Sequence, residues 1–300
     1  MLVQKIKEWL WNQMFQYAFV KALSLKNNVD FKLDVLSYKT GFRRYWLEVF
    51  NIERNYASND EIPWYERYKL RNCCLSYIND VYIKSFFWWL NKNHHKEKSM
   101  FSCESVVDYK ILTFSDWYME WYFQSERYFT DFKDDIRKAF KVNRELSEKN
   151  KNIIKRIQSL NSVSVHIRRW DYLLVDTHGV LSKSYYEKWI ELVRERTKGP
   201  LYVFFFSDDI WWVKKNFQCK NSYYVDWNVW GESWQDMILM SKCKHNIIAN
   251  SSFSRWGARL NDNKEKIVIA PRKWFKSTDP QDIVPSDWIK LWNTFDYNIE

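Results

Sequence analysis

Three short apolar runs between residues 161 and 252 each end abruptly in a polar cluster, and this restricts the fold more than any other feature. VSVHI (163–167) runs into Arg168, Arg169, Trp170, Asp171 and Tyr172. LYVFFF (201–206) runs into Ser207, Asp208 and Asp209, and HNIIA (245–249) into Asn250, Ser251 and Ser252. Short, largely apolar runs of this length suit buried strands. Helical patterns separate them. YYEKWIELVRER (185–196) puts Trp189, Ile190 and Val193 on one face, and residues 210–217, 233–244 and the start of SFSRWGARLN read as further helices. SYYVDW (222–227) and KIVIAP (266–271) supply two more strands. Strands alternating with helices predict an α/β fold with a parallel sheet, which binds ligands at the carboxyl ends of its strands. All three polar clusters fall there.

The first half is less regular. Residues 5–27 read as a loop and a helix, with Met14, Phe15, Ala18, Phe19, Ala22 and Leu23 at helical spacing, and 29–36 as a strand. Residues 60–125 are aromatic without a repeat; Phe86, Phe87, Trp88 and Trp89 read as core, and His94 and His95 as a solvated loop. SEKNKNIIKRIQSL (147–160) reads as a helix or linker between two halves, divided as 1–150 and 151–300.

Composition excludes several classes. No apolar run approaches the roughly 18–20 residues of a membrane span, and Lys5, Lys7 and Glu8 stand where a signal peptide needs apolar residues. A cytoplasmic protein is expected, with peripheral membrane contact at the inner face left open. The five cysteines (Cys73, Cys74, Cys103, Cys219, Cys243) form no C-x-x-C pair, which favours reduced thiols and gives no zinc site. The 47 basic against 37 acidic residues favour an anionic partner. No nucleic-acid recognition motif accompanies that charge, so nucleic acid is not expected.

Each cluster suggests chemistry. Arg168 and Arg169 are permanently charged forks suited to phosphate oxygens, Asp171 could hold one of them, and His166 could donate a hydrogen bond or pack. Ser207 and Asp208 could meet a ribose hydroxyl, a metal or those arginines, whereas Asp209 reads as a helix cap. Asn250, Ser251 and Ser252 open a helix, where free N–H groups accept an anion. The chain has no Asp-x-Asp triplet of the metal–nucleotide type, and no metal is expected.

Taken in order, LWNQMFQYAFVKAL, FQSERYF, SVHIRRWDY, FFSDDI, DMILMSKCKHNIIANSSFSRWGARLN and IVIAPRKWF resemble bacterial galactoside alpha-1,2-fucosyltransferases, glycosyltransferase family 11. The likeness spans most of the chain and is sparse at about 40–115. It implies a GT-B architecture, two Rossmann-like domains facing a cleft, with GDP-L-fucose in the second domain and the acceptor side in the first. By the same resemblance Arg168 and Arg169 contact the diphosphate. His166, Asp171, Ser207, Asp208, Asn250, Ser251 and Ser252 complete the donor site, and Asn12, a catalytic candidate, faces the acceptor with Gln13. The implied reaction is inverting, metal-independent and cofactor-free transfer of fucose to the 2-hydroxyl of a terminal galactoside in a surface glycan such as lipopolysaccharide. No base is identified; Asp171, Asp208 and Asp209 qualify by residue type alone.

One anomaly cuts across this. The chain holds 5 glycines and 19 tryptophans, where an average usage of about 7% gives roughly 21 Gly. Trp9, Trp11, Trp121 and Trp170 stand at glycines of the family motifs, and Trp230 is suspect too. A source that reads UGA as glycine would produce this pattern. Glycine at 11 or 170 would permit positive φ and close approach of backbone to ligand. If the tryptophans are native, the alternative is an inactive carbohydrate- or nucleotide-binding relative. Arg255 and Arg259 also depart from the family, which has Trp at both positions.

Overall fold

The computed structural model describes residues 1–40, 43–69, 94–96, 107, 109–175, 177–277 and 282–296. Cys73, Cys74, Cys103 and the 86–89 aromatic stretch lie outside them. The chain divides into two units, one ending at Arg144 and the other beginning at Glu145. Both are α/β with parallel sheets, as the strand-and-helix alternation predicts.

In the first unit β1 (Leu2–Lys5) leads through a short loop into α1 (Leu10–Asn27), and β2 (Phe31–Asp34) follows. Short helices α2 (Ser37–Thr40) and α3 (Trp64–Lys69), strands β3 (His94–Lys96) and β4 (Trp117–Glu120), and α4 (Lys133–Ala139) complete it. The strands form an all-parallel sheet in the order β2-β1-β4-β3. α1 packs Met14, Phe15, Ala18, Phe19, Ala22 and Leu23 inward, and stops at Asn28, a left-handed residue at φ 51°. His94 and His95 therefore stand in a strand, not the expected solvated loop; backbone pairing with Tyr118 and Met119 decides it, and no local polarity pattern reports such pairing.

The second unit opens with α5 (Glu148–Ser159), capped by the Ser147 hydroxyl accepting from the Asn150 N–H. This helix belongs to the second unit. Its buried Asn150 donates to Asn228 Oδ1 at 2.7 Å and to Gln235 Oε1 at 2.6 Å. There follow β5 (Ser162–Ile167), β6 (Val180–Leu181), α6 (Lys183–Arg196), β7 (Tyr202–Ser207), α7 (Ile210–Asn216), β8 (Ser222–Val225), α8 (Trp234–Lys242), β9 (His245–Ile247), α9 (Ser252–Leu260), β10 (Val268–Pro271), β11 (Ile289–Leu291) and β12 (Phe295–Asp296). Six strands make a parallel sheet ordered β11-β10-β9-β5-β7-β8, while β12 pairs antiparallel with β6. The core joins Val163, Val165, Val203 and Phe205 of the sheet to Tyr186, Trp189 and Val193 of α6. Burying each such side chain is worth about 1.5–3 kcal/mol.

Arg255 shows how this core absorbs an unexpected residue. It is fully buried on α9, its Nη1 donates to the Ile283 carbonyl at 2.5 Å, and its guanidinium lies 5.6 Å from the Trp274 ring centre. A flat cation is thus held in the core by a carbonyl acceptor and an aromatic face. No helix among the described residues is long and apolar enough to cross a membrane.

Candidate active site

β5 lies between β9 and β7, so the three polar clusters are brought side by side at the carboxyl edge of the second sheet. Ile167 pairs with Ser207, which sets the Arg168 loop level with Asp208. Arg168 makes a bidentate pair with Asp171, Nε to Oδ1 at 2.8 Å and Nη2 to Oδ2 at 2.6 Å, and its Nε lies 3.3 Å from Asp208 Oδ2. Burial alone would lower its pKa. The bond to Asp171 and the charge of Asp208 outweigh that and hold the guanidinium above its ordinary value. Burial raises the Asp208 pKa, and Arg168 opposes the rise.

Asp208 also accepts two backbone N–H groups, from Arg169 at 2.9 Å and Trp170 at 3.1 Å. Asp209 caps α7, as expected, accepting from the Trp212 N–H at 3.2 Å. Its other oxygen holds Arg169 Nε at 3.2 Å, and the guanidinium of Arg169 stacks 4.5 Å from the Trp212 ring centre. Arg169 is only 6% exposed. The two arginines therefore differ: Arg168 pairs with Asp171 and stays partly exposed, while Arg169 is turned into the protein to brace the loop against α7. Ser207 likewise works locally, its hydroxyl accepting from the Asp209 N–H at 3.0 Å.

His166 is buried against Phe253, at 5.5 Å between rings, and burial together with the Arg168 charge pushes its pKa down to about 3. It is neutral at physiological pH. Asn250 is fully buried, and its amide donates to the carbonyls of His178, Gly179 and Trp274 at 2.8, 3.1 and 3.0 Å. Its carbonyl backbone oxygen takes the Tyr172 hydroxyl at 2.9 Å. Asn250 thus fastens loops together more than it presents a face to a ligand. Ser251 is the N-cap residue of α9 without a side-chain cap bond, and the first turn of α9, which Ser252 begins, holds no acidic residue. An anion at that helix end would meet no acidic side chain of the first turn.

Two residues at this edge received no role from the sequence reading. Tyr172 bridges the first and third clusters. His178 packs 4.7 Å from the Tyr172 ring and 5.3 Å from Phe275, with its pKa lowered by burial. The available signal was Gly179, one of few glycines, at φ +70° with Phe295 so close that a Cβ would lie 2.6 Å from its ring. Among the described residues no group of three or more His, Cys, Asp or Glu could hold a metal ion. None of the three carboxylates suggested as bases is disengaged: Asp171 and Asp208 serve Arg168, and Asp209 serves α7 and Arg169.

In the first unit, Asn12 stands in the first turn of α1 and its Oδ1 accepts from Gln124 Nε2 at 2.6 Å. Gln13 is fully buried. Its Nε2 donates to the carbonyls of Glu8 (2.8 Å) and Arg44 (3.0 Å), and its Oε1 accepts from the Trp46 N–H at 2.9 Å. It stitches two loops. The carboxyl edge of this sheet carries charges that sequence reading missed: Lys5 pairs with Glu66 and Glu120, and Lys7 with Glu120 at 3.1 Å. They come from segments too far apart in sequence to be read as one cluster.

Trp9 and Trp11 stack 5.7 Å apart, and Trp170 is 66% exposed. Trp9 and Trp170 have negative φ, and Trp11 lies within α1; the left-handed residues nearby are Glu8 (φ 72°) and Phe123 (φ 49°). With tryptophan in place, neither position takes the positive φ that a glycine there would permit.

The chain belongs to glycosyl transferase family 11, whose model matches residues 1–292. It is 35% identical to the O-antigen biosynthesis glycosyltransferase WbnK of Escherichia coli, over 94% of this chain and 97% of that protein. It is 33% identical to an alpha-1,2-colitosyltransferase of Escherichia coli, over 97% of this chain and 98% of that protein. A mouse galactoside 2-alpha-L-fucosyltransferase, Sec1, is 26% identical over 44% of this chain and 39% of its own length. Among solved structures, the fucosyltransferase NodZ from Bradyrhizobium gives a TM-score of 0.46 at 11% identity, covering 85% of this chain and 91% of that one.

Proposed function

We propose that this family 11 glycosyltransferase moves L-fucose from GDP-L-fucose to the 2-hydroxyl of a terminal galactoside in a surface glycan, with inversion at the anomeric carbon. The observation that carries the donor side is Arg168, held charged at the carboxyl edge of a parallel sheet whose α9 begins without an acidic residue. The 1,2-linkage is supported by the relatives named for it.

The acceptor oxygen attacks the anomeric carbon as the bond to the diphosphate breaks, so negative charge grows on the departing phosphate oxygens. Fixed cationic donors help most at that point, because they need no reorganisation as charge develops. Arg168 supplies the fork and Asp171 orients it. The opening N–H groups of α9 add a second set of donors. His166, neutral and buried, supports the strand end and adds no competing charge. Arg169 shapes the loop through Asp209. Protein donors fill the role a metal ion plays elsewhere.

A colitose donor is the second reading, favoured by the colitosyltransferase relative. Product analysis decides: GDP-fucose and an activated colitose are offered with lactose and N-acetyllactosamine, to versions carrying Trp or Gly at 11, 121 and 170. A product fucosylated at the galactose 2-hydroxyl is expected from at least the Gly version. Fucose on another hydroxyl overturns the linkage, colitose transfer alone overturns the donor, and absence of transfer from any version supports the inactive binding relative.

A further inference from the structure

We infer that Asp208 is a positioning residue that sets the Arg168 loop through its backbone, and that it does not itself touch the sugar nucleotide. The inference deepens the proposed function and rests on Arg168 gripping a diphosphate.

Both oxygens of Asp208 are engaged by the same loop. Oδ1 accepts the Arg169 N–H at 2.9 Å; Oδ2 accepts the Trp170 N–H at 3.1 Å and lies 3.3 Å from Arg168 Nε. Two consecutive amides and a guanidinium thus converge on one carboxylate. Only a group with two anionic acceptor oxygens on a short stem can meet all three. The geometry is fixed from below by the pairing of Ile167 with Ser207, which leaves Asp208 the first residue past the strand edge. Asp209 turns away to α7 and Arg169, so the adjacent carboxylates divide the two arginines between them. With the loop backbone pinned, Arg168 starts from a fixed Cα and needs only Asp171 to fix its fork.

Asparagine at 208 keeps the shape but offers one acceptor and turns an N–H2 toward a donor, so one amide loses its partner. Full-length wild type and Asp208→Asn are compared by amide hydrogen exchange read by mass spectrometry. Faster exchange is expected in peptides covering Arg169 and Trp170, with peptides of α9 unchanged. Unaltered exchange at 169–170 overturns the inference. If Asp208→Asn does not fold, Asp208→Glu shifts the carboxylate by one methylene and is expected to move the same two amides.

GDP affinity by calorimetry supplies the second readout. Asp208→Asn and Arg168→Ala are each expected to weaken binding about 10- to 100-fold, as loss of one hydrogen bond to a charged group does. The double variant is expected to be no weaker than Arg168→Ala, since Asp208 acts through Arg168. Additive losses would show that Asp208 meets the nucleotide directly. Should wild type not bind GDP, the donor-site reading fails, and hydrogen exchange still decides the role of Asp208.

Discussion

Replacing Arg168 by alanine removes a charged fork at the carboxyl edge of the sheet and leaves Asp171 and Asp208 without their shared cation. Loss of a single preorganised donor to a developing oxyanion costs about 100- to 1000-fold in rate, or roughly 3–4 kcal/mol. The orphaned carboxylates add repulsion toward a diphosphate, so the upper end of that range is expected in kcat/KM for GDP-fucose. Arg168→Lys restores a charge but not the two-pronged geometry that spans both oxygens of Asp171 and reaches Asp208, and it is expected to recover only part of the loss. Arg169→Ala provides the contrast. Its side chain is turned inward onto Asp209 and Trp212, so it is expected to lower the melting temperature and destabilise the fold by about 1–3 kcal/mol. Steady-state kinetics with labelled GDP-fucose, run beside thermal melts, separates the two. Near-wild-type turnover in Arg168→Ala, or a larger kinetic than thermal effect in Arg169→Ala, would refute the division of labour between the arginines.

His166 has a folded pKa of about 3, below the ordinary value near 6.5, so the unfolded chain binds a proton that the folded one refuses. Stability is full above about pH 6.5 and falls by about 1.4 kcal/mol per unit as pH drops toward 3; His245, lowered to about 4, acts in the same direction. Chemical denaturation across this range should give a shallower loss for His166→Asn, and an unchanged slope would count against the buried neutral imidazole. Gly179→Ala must place a Cβ against the Phe295 ring at φ +70°, so a destabilisation above about 1 kcal/mol is expected in a thermal melt. The tryptophan codons should divide in two. Trp189, Trp234, Trp256, Trp274 and Trp288 are buried in the core and should be encoded by UGG, whereas Trp9, Trp11, Trp121 and Trp170, at glycines of the family motifs, should be encoded by UGA and appear as glycine in peptides of the natural protein. A UGG codon at 170 would contradict this.

The second unit was largely legible because its strands are short β-branched or aromatic runs ending in polar clusters and its helices carry one apolar face. Strands β5, β7 and β9 and helices α6, α7 and α8 fall within two residues or so of the expected bounds, apart from the carboxyl ends of the strand runs, which the chain uses as loops. The first sheet was not. β1 reads LVQK and β4 reads WYME, four residues each with a polar member, and Gln4 is buried only because its amide reaches the Lys5 and Met119 carbonyls. Pairing partners more than a hundred residues away supply what the local pattern lacks.

The sequence by itself determined the α/β class, the family, and the alignment of three polar clusters with three strand ends, because strand and helix periodicities are local and the motifs are contiguous. Only the tertiary structure decided which members of those clusters remain available. Arg169, Gln13 and Asn250 are occupied by Asp209, by the Glu8, Arg44 and Trp46 backbone, and by the His178, Gly179 and Trp274 carbonyls. A buried polar group must be satisfied where it lies, and its partners come from segments that meet it only after the chain has folded.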